Sequence, residues 1–383
     1  MRWLLCLCVV ACAAKVVDDP PGSSGNPSPH PPPPTSTPPP AGRFHTRGRL
    51  ILDEHNQPVH LIGISWFGLE TATYAPHGLW ARSMDELLDQ VRSLGFNSLR
   101  IPFSNQLFDA GSTPNSIDYS RNPELAGLRG IEILDRVIAG AKARGLRVIL
   151  DRHRPDSGAQ SSLWYTSAYS EQRWIADWTM LARRYRDDPT VIGVDLHNEP
   201  RDPATWGDGN MSTDWRLAAE RAGNAILAVH PDLLIIVEGV QTTGGTSYWW
   251  GGNLRSAGHA PVRLQVANRL VYSVHDYPQS VYWQPWFADS NYPNNLPPIW
   301  DSTWGYLVQN DIAPVWLGEF GTRYQTASDR SWLATLANYV KQHEVGFAFW
   351  CLNPDSGDTG GILQDDWQTV DAAKLNALRE LLP

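Results

Sequence analysis

The sequence predicts an α/β protein built as a single (β/α)8 TIM barrel, with its active site at the carboxyl-terminal ends of the strands. Three observations predict it. Eight short apolar runs alternate with longer segments whose apolar residues recur at three and four. Each run is bounded by turn and cap residues, as strand–helix repeats require. Nearly every run also finishes in polar or aromatic side chains, which a strand buried on both faces does not ordinarily carry.

In order, the runs are 59–67 (VHLIGISWF), 96–103 (FNSLRIPF), 146–153 (LRVILDRH), 191–198 (VIGVDLHN), 233–239 (LLIIVEG), 270–277 (LVYSVHDY), 313–320 (APVWLGEF) and 345–350 (VGFAFW). Helical segments between them include SMDELLDQVRSLG, GIEILDRVIAGAKARG, TDWRLAAERAGNAILAVHP and SDRSWLATLANYVKQH. Ser83, Thr213 and Ser328 stand where N-caps belong, and Gly95 and Gly145 where helices must stop. Residues 240–268 are rich in Gly, Trp and Ser without helical period, and predict a long functional loop. The stretch HTRGRLILDEHNQPVHL predicts a short hairpin that closes the barrel bottom.

Residues 1–42 stand apart in composition. Residues 1–14 (MRWLLCLCVVACAA) place Arg2 before an apolar run too short to span a bilayer, and predict an export signal. VVAC also resembles a lipoprotein cleavage box, which would lipidate Cys12 and anchor the chain to a cell surface. Residues 15–42 hold 11 of the 30 prolines between positions 20 and 40 and predict a polyproline spacer. Such a spacer reaches up to roughly 60 Å at about 3.1 Å per residue. Residues 43–383 are then the catalytic domain, and the chain is expected to be secreted.

Composition narrows function. The formal charge is −9, and Arg2 and Lys15 offset Asp18 and Asp19, so the domain carries all of it. That balance argues against nucleic acid and anionic membrane as partners. No segment predicts a membrane span. Cys351 is the domain's only cysteine, so no disulfide framework is expected.

The strand ends supply the candidate chemistry. They are Arg100 on the second run, Asp151 and His153 on the third, Asn198 and Glu199 on the fourth and Glu238 on the fifth. The sixth offers His275 and Tyr277, the seventh Glu319 and the eighth Trp350. Two carboxyl groups facing each other suffice for glycoside cleavage: one donates a proton to the leaving oxygen, and the other attacks or activates water. Glu199 and Glu319 sit across the expected barrel mouth, and Arg100 is placed to hold one of them ionised. Aromatics in Gly-rich loops suit the apolar faces of pyranoses. Trp80 and Trp250 are the best candidate stacking platforms, ahead of Trp206, Trp249, Trp283 and Trp286. Trp174 and Trp178, at helical spacing, predict core.

NSLRIPFS, LDRHRPDSG, DLHNEP, VEGVQ, YWWGGNL, VYSVHDY, WLGEFGT and NPDSGDTGGIL together resemble family 5 of the glycoside hydrolases, in its bacterial endo-β-1,4-glucanase branch. The resemblance runs from about residue 44 to the C-terminus. It implies a retaining cellulase with Glu199 as acid/base and Glu319 as nucleophile, acting on β-glucan polysaccharide as a monomer, without metal or cofactor. It further implies that Asn198 binds the sugar 2-hydroxyl and that Arg100 and Tyr277 hold the nucleophile. His275 would contact Glu199 or sugar, His153 would line the subsite, and Trp350 would be its floor. A cis peptide at Trp350–Cys351 is expected with it. Two departures adjoin Trp350: the tract YVKQHEVGFAFW is short for the branch, and Leu352 replaces an aromatic or polar residue.

Alternatives within the reading are β-mannan, xyloglucan and mixed-linkage glucan. Outside it stand a glycan-binding barrel without turnover, and a metal-dependent hydrolase using Asp151/His153, Asp195/His197 and His275/Asp276. In the fourth run, Asp195 and His197 are expected to be supports and Asn198 and Glu199 the working groups.

Overall fold

A computed structural model describes residues 43–383. The export-signal and spacer assignments, Cys12 included, lie outside the described residues. Eight parallel strands close into one barrel: β1 (Ile62–Ser65), β2 (Ser98–Ser104), β3 (Arg147–Arg154), β4 (Val191–Asp195), β5 (Leu234–Glu238), β6 (Leu270–Asp276), β7 (Val315–Phe320) and β8 (Gly346–Phe349). Each pairs with its sequence neighbours, and β8 returns to β1. The predicted fold class is the one observed.

Helices α1 (Met84–Ser93), α2 (Gly130–Ala143), α3 (Glu171–Arg184) and α4 (Trp215–Val229) follow the first four strands. After β5 the residues 240–268 form no helix, only a two-plus-two-residue hairpin, as the composition predicted. A helical stretch follows β6, opening with α5 (Leu296–Trp300) and closing with α6 (Tyr306–Gln309). Then come α7 (Ala327–Gln342) and α8 (Ala372–Leu378). Ser83 caps α1 in a full capping box. Two cap assignments are corrected. Asp214, not Thr213, caps α4; its carboxylate accepts from the amide of Leu217 and also from those of Gly207 and Gly209. Thr326, not Ser328, caps α7, because Ser328 lies inside the first turn with its hydroxyl on Gln279.

The hairpin, strands His45–Arg47 and Leu50–Leu52, does plug the bottom. Its Ile51 and the preceding Phe44 pack among Leu61, Ile149, Ile192, Leu234, Ile236, Val271, Trp316 and Ala348, an apolar layer inside the barrel at the strands' amino ends. Val59 pairs with Ile51 rather than with β2, which is why β1 is shorter than its apolar run. Outward side chains join the helices in the main core. The upper barrel interior is polar: Arg100, Asp151, Asp195, Glu238, Ser273 and His275 are all fully buried.

Candidate active site

Strict alternation cannot put both an apolar bottom and a functional top on every strand. On β7, Trp316 lies in the bottom layer and Glu319 at the top, three positions apart. The β6–β7 pairing steps from Leu317 to Glu319, skipping Gly318, and this bulge re-phases the strand. A Cβ there would lie 2.3 Å from Ser273 Oγ, so any larger residue would force that buried side chain to shift. A second irregularity, where the β3–β4 pairing skips Ile192, lets Ile192 and Asp195 both face inward.

Past Asp195 the chain leaves the ladder but stays tied down. The indole N–H groups of Trp174 and Trp178 both donate to the Leu196 carbonyl, at 2.9 and 3.0 Å. Both rings are fully buried, as their spacing predicted. Asn198 N donates to Arg152 O, and Glu199 N to a Glu238 carboxylate oxygen at 2.7 Å. Glu199 itself has φ +52, a backbone region that non-glycine residues rarely adopt.

Glu199 and Glu319 meet across the mouth. A Glu199 oxygen, a His275 nitrogen and a Glu319 oxygen lie mutually within 4.8 Å. Tyr277 donates its hydroxyl to Glu319 Oε2 at 2.7 Å, and Arg100 Nη1 donates to Glu319 Oε1. His275 Nδ1 is 3.1 Å from Glu199 Oε1. Asn198 Oδ1 accepts from Arg100 at 2.9 Å, while its Nδ2 has no partner among the described residues. His153 Nδ1 pairs with Asp151 Oδ2 at 2.7 Å, and the Trp350 indole lies parallel to the His153 ring, 6° apart at 5.2 Å. The Trp350–Cys351 peptide is cis, as expected.

Arg100 sits within β2, one layer below the strand end where the run had placed it. Its guanidinium reaches up to Asp195 at 3.0 Å, Asp151 at 3.2 Å and Glu238 at 3.4 Å, as well as Glu319. One cation thus serves four buried acids, and they cannot all be ionised cheaply. Burial drives Asp151 and Asp195 up to about 7 against the pull of Arg100. Burial opposes ionisation at Glu319 too, but the positive charges of His275 and Arg100, then His153 and the Tyr277 hydroxyl, reverse it and hold the carboxyl down at about 2. Burial pushes His153 down to about 4, so its ring is neutral near pH 7.

The cleft above these groups has a volume of about 980 Å³. Glu199, Glu319, His153, Tyr277, Trp350 and Trp250 line it. Arg100, Asn198 and His275 lie beneath, fully buried. Trp80 does not line it: the ring is 39% exposed and packs edge-on against Trp367 beside His77. Trp250 is 44% exposed with the Arg201 guanidinium 4.3 Å over its ring. Trp249 and Trp283 also reach the cleft, whereas Trp206 is buried against Tyr272. Sequence reasoning passed over Arg201, Tyr248 and Gln160. Arg201 stands two residues after Glu199, and Tyr248 opens YWWGGNL, so both had a signal; Gln160 had none.

The metal-ligand pattern is not assembled as its spacing suggested. His197 pairs with Arg152 at 2.8 Å, and Asp276 accepts from the indoles of Trp300 and Trp332, away from the cleft. Two triads, Asp151/His153/Glu319 and Glu199/His275/Glu319, bring ligand-type atoms within 4.8 Å. Both are already joined by hydrogen bonds and share the charge of Arg100.

Comparison with known proteins agrees with this geometry. Residues 52–356 match the model of the Cellulase family (glycosyl hydrolase family 5). An endoglucanase of Paenibacillus polymyxa is 55% identical over 346 residues, 89% of this chain and 87% of that protein. The major extracellular endoglucanase of Xanthomonas campestris pv. campestris is 45% identical, over 87% of this chain and 70% of that protein. Among solved structures, an endocellulase from Pyrococcus horikoshii in complex with cellotetraose is similar at TM-score 0.84 and 41% identity, covering 89% of this chain and 99% of that one. Among the described residues no helix is long and apolar enough to cross a membrane.

Proposed function

This chain belongs to glycosyl hydrolase family 5, the cellulases, and from that membership we propose how its residues divide the work of a retaining endo-β-1,4-glucanase. Glu319 is the nucleophile and Glu199 the acid/base. The observation that carries this is the approach of one oxygen of each carboxyl group to within 4.8 Å of the other. Carboxyl groups about 5–5.5 Å apart leave no room for a water between them, so the carboxylate itself attacks.

Glu319, held ionised by Arg100 and Tyr277, attacks the anomeric carbon as the glycosidic C–O bond breaks. Glu199 gives its proton to the departing oxygen. A glycosyl-enzyme on Glu319 results. Glu199, now a carboxylate, takes a proton from water, whose oxygen attacks the anomeric carbon and releases Glu319. Atoms balance over the two displacements, and the β-configuration is kept. The free Nδ2 of Asn198 is a donor for the sugar 2-hydroxyl. Trp350 underlies the same sugar, and His153 borders it.

A β-1,4-glucan is the substrate, in line with the endoglucanase relatives. The Trp250, Trp283 and Tyr282 side of the cleft suits a polymer more than a disaccharide. Secretion is inferred from residues 1–14 and from the Xanthomonas relative, which is extracellular by name. The test is reducing-sugar release from carboxymethyl-cellulose, barley glucan, mannan and xylan, with Glu199→Gln and Glu319→Gln beside wild type. Release from the glucans, lost in both variants, is expected. Turnover of mannan alone would sink the glucanase reading, and equal rates in all three proteins would sink the catalytic pair.

A further inference from the structure

The proposed mechanism leaves Glu238 unused. Yet this side chain, fully buried at the end of β5, touches Glu199 by two routes. Its Oε2 accepts the Glu199 amide N–H at 2.7 Å. Its Oε1 lies 3.3 Å from His275 Nε2, and the other nitrogen of that imidazole, Nδ1, meets Glu199 Oε1 at 3.1 Å. The first contact is an aligned hydrogen bond; the Nε2 approach is a close ionic one without that alignment.

What the first bond holds is unusual. Glu199 has φ +52, a left-handed backbone that is costly for a non-glycine residue and persists only where its surroundings enforce it. Glu238 is itself fixed from two sides. Its own carbonyl accepts the Trp215 indole N–H at 2.8 Å. Gly251 packs so close that a Cβ there would lie 2.1 Å from Glu238 Oε2 and 3.2 Å from Glu199 Cα. Gly251 also bonds across, its carbonyl accepting from Gly239 N and its amide donating to Pro200 O. The loop after β5 therefore clamps Glu238 against the backbone of Glu199.

We propose that Glu238 is the positioning residue of the acid/base: its carboxyl group fixes the left-handed backbone of Glu199 directly and the carboxyl end of Glu199 through His275. Glu238 touches neither substrate nor the reacting bond. It acts by aiming the proton that Glu199 transfers. The inference rests on the assignment of Glu199 as acid/base.

The test compares kcat/KM on two β-cellobiosides, one with a dinitrophenol leaving group and one with a poor leaving group such as methylumbelliferone. Both report the glycosylation step, and only the second needs proton donation. Glu238→Ala removes the acceptor, and Glu238→Asp withdraws it by one methylene. Either is expected to lower kcat/KM on the poor leaving group by about 10²-fold, as for a misplacement of about 1 Å, with less than about threefold change on the dinitrophenyl substrate. Should Glu238→Ala fail to fold, Glu238→Asp carries the same test. Glu238→Gln keeps a carbonyl for the Glu199 N–H and should recover most of the loss. Equal losses on both substrates, no loss on either, or a Gln variant no better than Asp overturns the proposal. Glu199→Ala is the reference: if it lacks the leaving-group dependence, the acid/base assignment fails, whereas that dependence in Glu199→Ala without it in Glu238→Asp sinks only the role of Glu238.

Discussion

The two ends of one barrel interior are built on opposite principles. At the bottom, Phe44, Ile51, Ile192, Leu234 and Trp316 fill the space with apolar volume. At the top, within a few residues along the same strands, one arginine and a histidine hold five acids, Asp151, Asp195, Glu199, Glu238 and Glu319. The bottom gains stability from apolar burial and does nothing to substrate. The top costs stability, since several ionisable groups are kept out of water there and are held in place by the rest of the fold. Fold and function are thus separable along the barrel axis, and each can be broken alone.

The largest break is at Arg100. Arg100→Met keeps much of the volume but strands four acids without their shared cation. On the order of 10³-fold loss of kcat/KM is expected, the scale seen when one preorganised electrostatic partner is removed. The sign of the pH effect follows. Arg100 helps hold Glu319 down at about 2; without it that carboxyl rises, and the acid limb of the residual kcat/KM profile must move to higher pH. A limb left where wild type has it would show that Arg100 does not set the charge of Glu319.

At the other end, Leu234→Ala should do the reverse. Leu234 is fully buried in the apolar layer, and truncation there costs about 2–5 kcal/mol through lost burial and the cavity left behind. Denaturant unfolding should report that loss. The kcat on carboxymethyl-cellulose, measured well below the melting temperature, should stay within about twofold. A matching collapse of kcat would mean the two ends are coupled and the separation is false.

These differences explain how far the sequence could be read. The eight runs, their order and the hairpin plug follow from period and turn chemistry, which are local. Glu199 and Glu319 were legible because two polar groups ending apolar runs need a reason. Arg100 was legible as a residue but not as a position: its strand continues to Ser104, so a strand-end rule put it one layer too high. The bulge at Gly318 and the skipped Ile192 were not legible, since they arise from pairing with neighbouring strands distant in sequence. The placing of Trp80 outside the cleft was not legible for a related reason. A Gly-rich loop predicts exposure but not direction, and Trp367, 287 positions away, decides where that ring packs.

The acid cluster also predicts how stability varies with pH. Asp151 and Asp195 titrate near 7 when folded and near 4 when unfolded. Between those values the folded state binds more protons, so their contribution to stability falls as pH rises from about 4 to 7 and is lost above it. Glu319 runs the other way: its contribution is complete above about 4 and is lost as pH falls toward 2. Each group adds at most about 1.4 kcal/mol per pH unit. The share of Asp151 and Asp195 should therefore slope downward from about pH 4 to 7 and then flatten, while His153 and His230, held down at about 4 by burial, slope upward below about 6.5. The difference between wild type and Asp195→Asn isolates one carboxyl: the variant should lose less stability than wild type as pH rises from about 4 to 7, and a difference that does not vary with pH would place the titration elsewhere.

The smallest effect separates the two tryptophans that looked alike in sequence. Trp250 lines the cleft with Arg201 over one face of its ring, a contact worth about 0.5–2 kcal/mol in itself. Trp250→Ala should raise KM on cello-oligosaccharides several-fold, which corresponds to about 1 kcal/mol of lost stacking, with kcat nearly unchanged because the ring stacks on sugar and supplies no reacting group. Trp80→Ala should leave KM within about twofold and act on stability instead, through its contact with Trp367. If Trp80→Ala raised KM as much as Trp250→Ala, the polymer must run past the loop after β1 as well, and the stacking surface would extend beyond the cleft that Trp350 and Trp250 define.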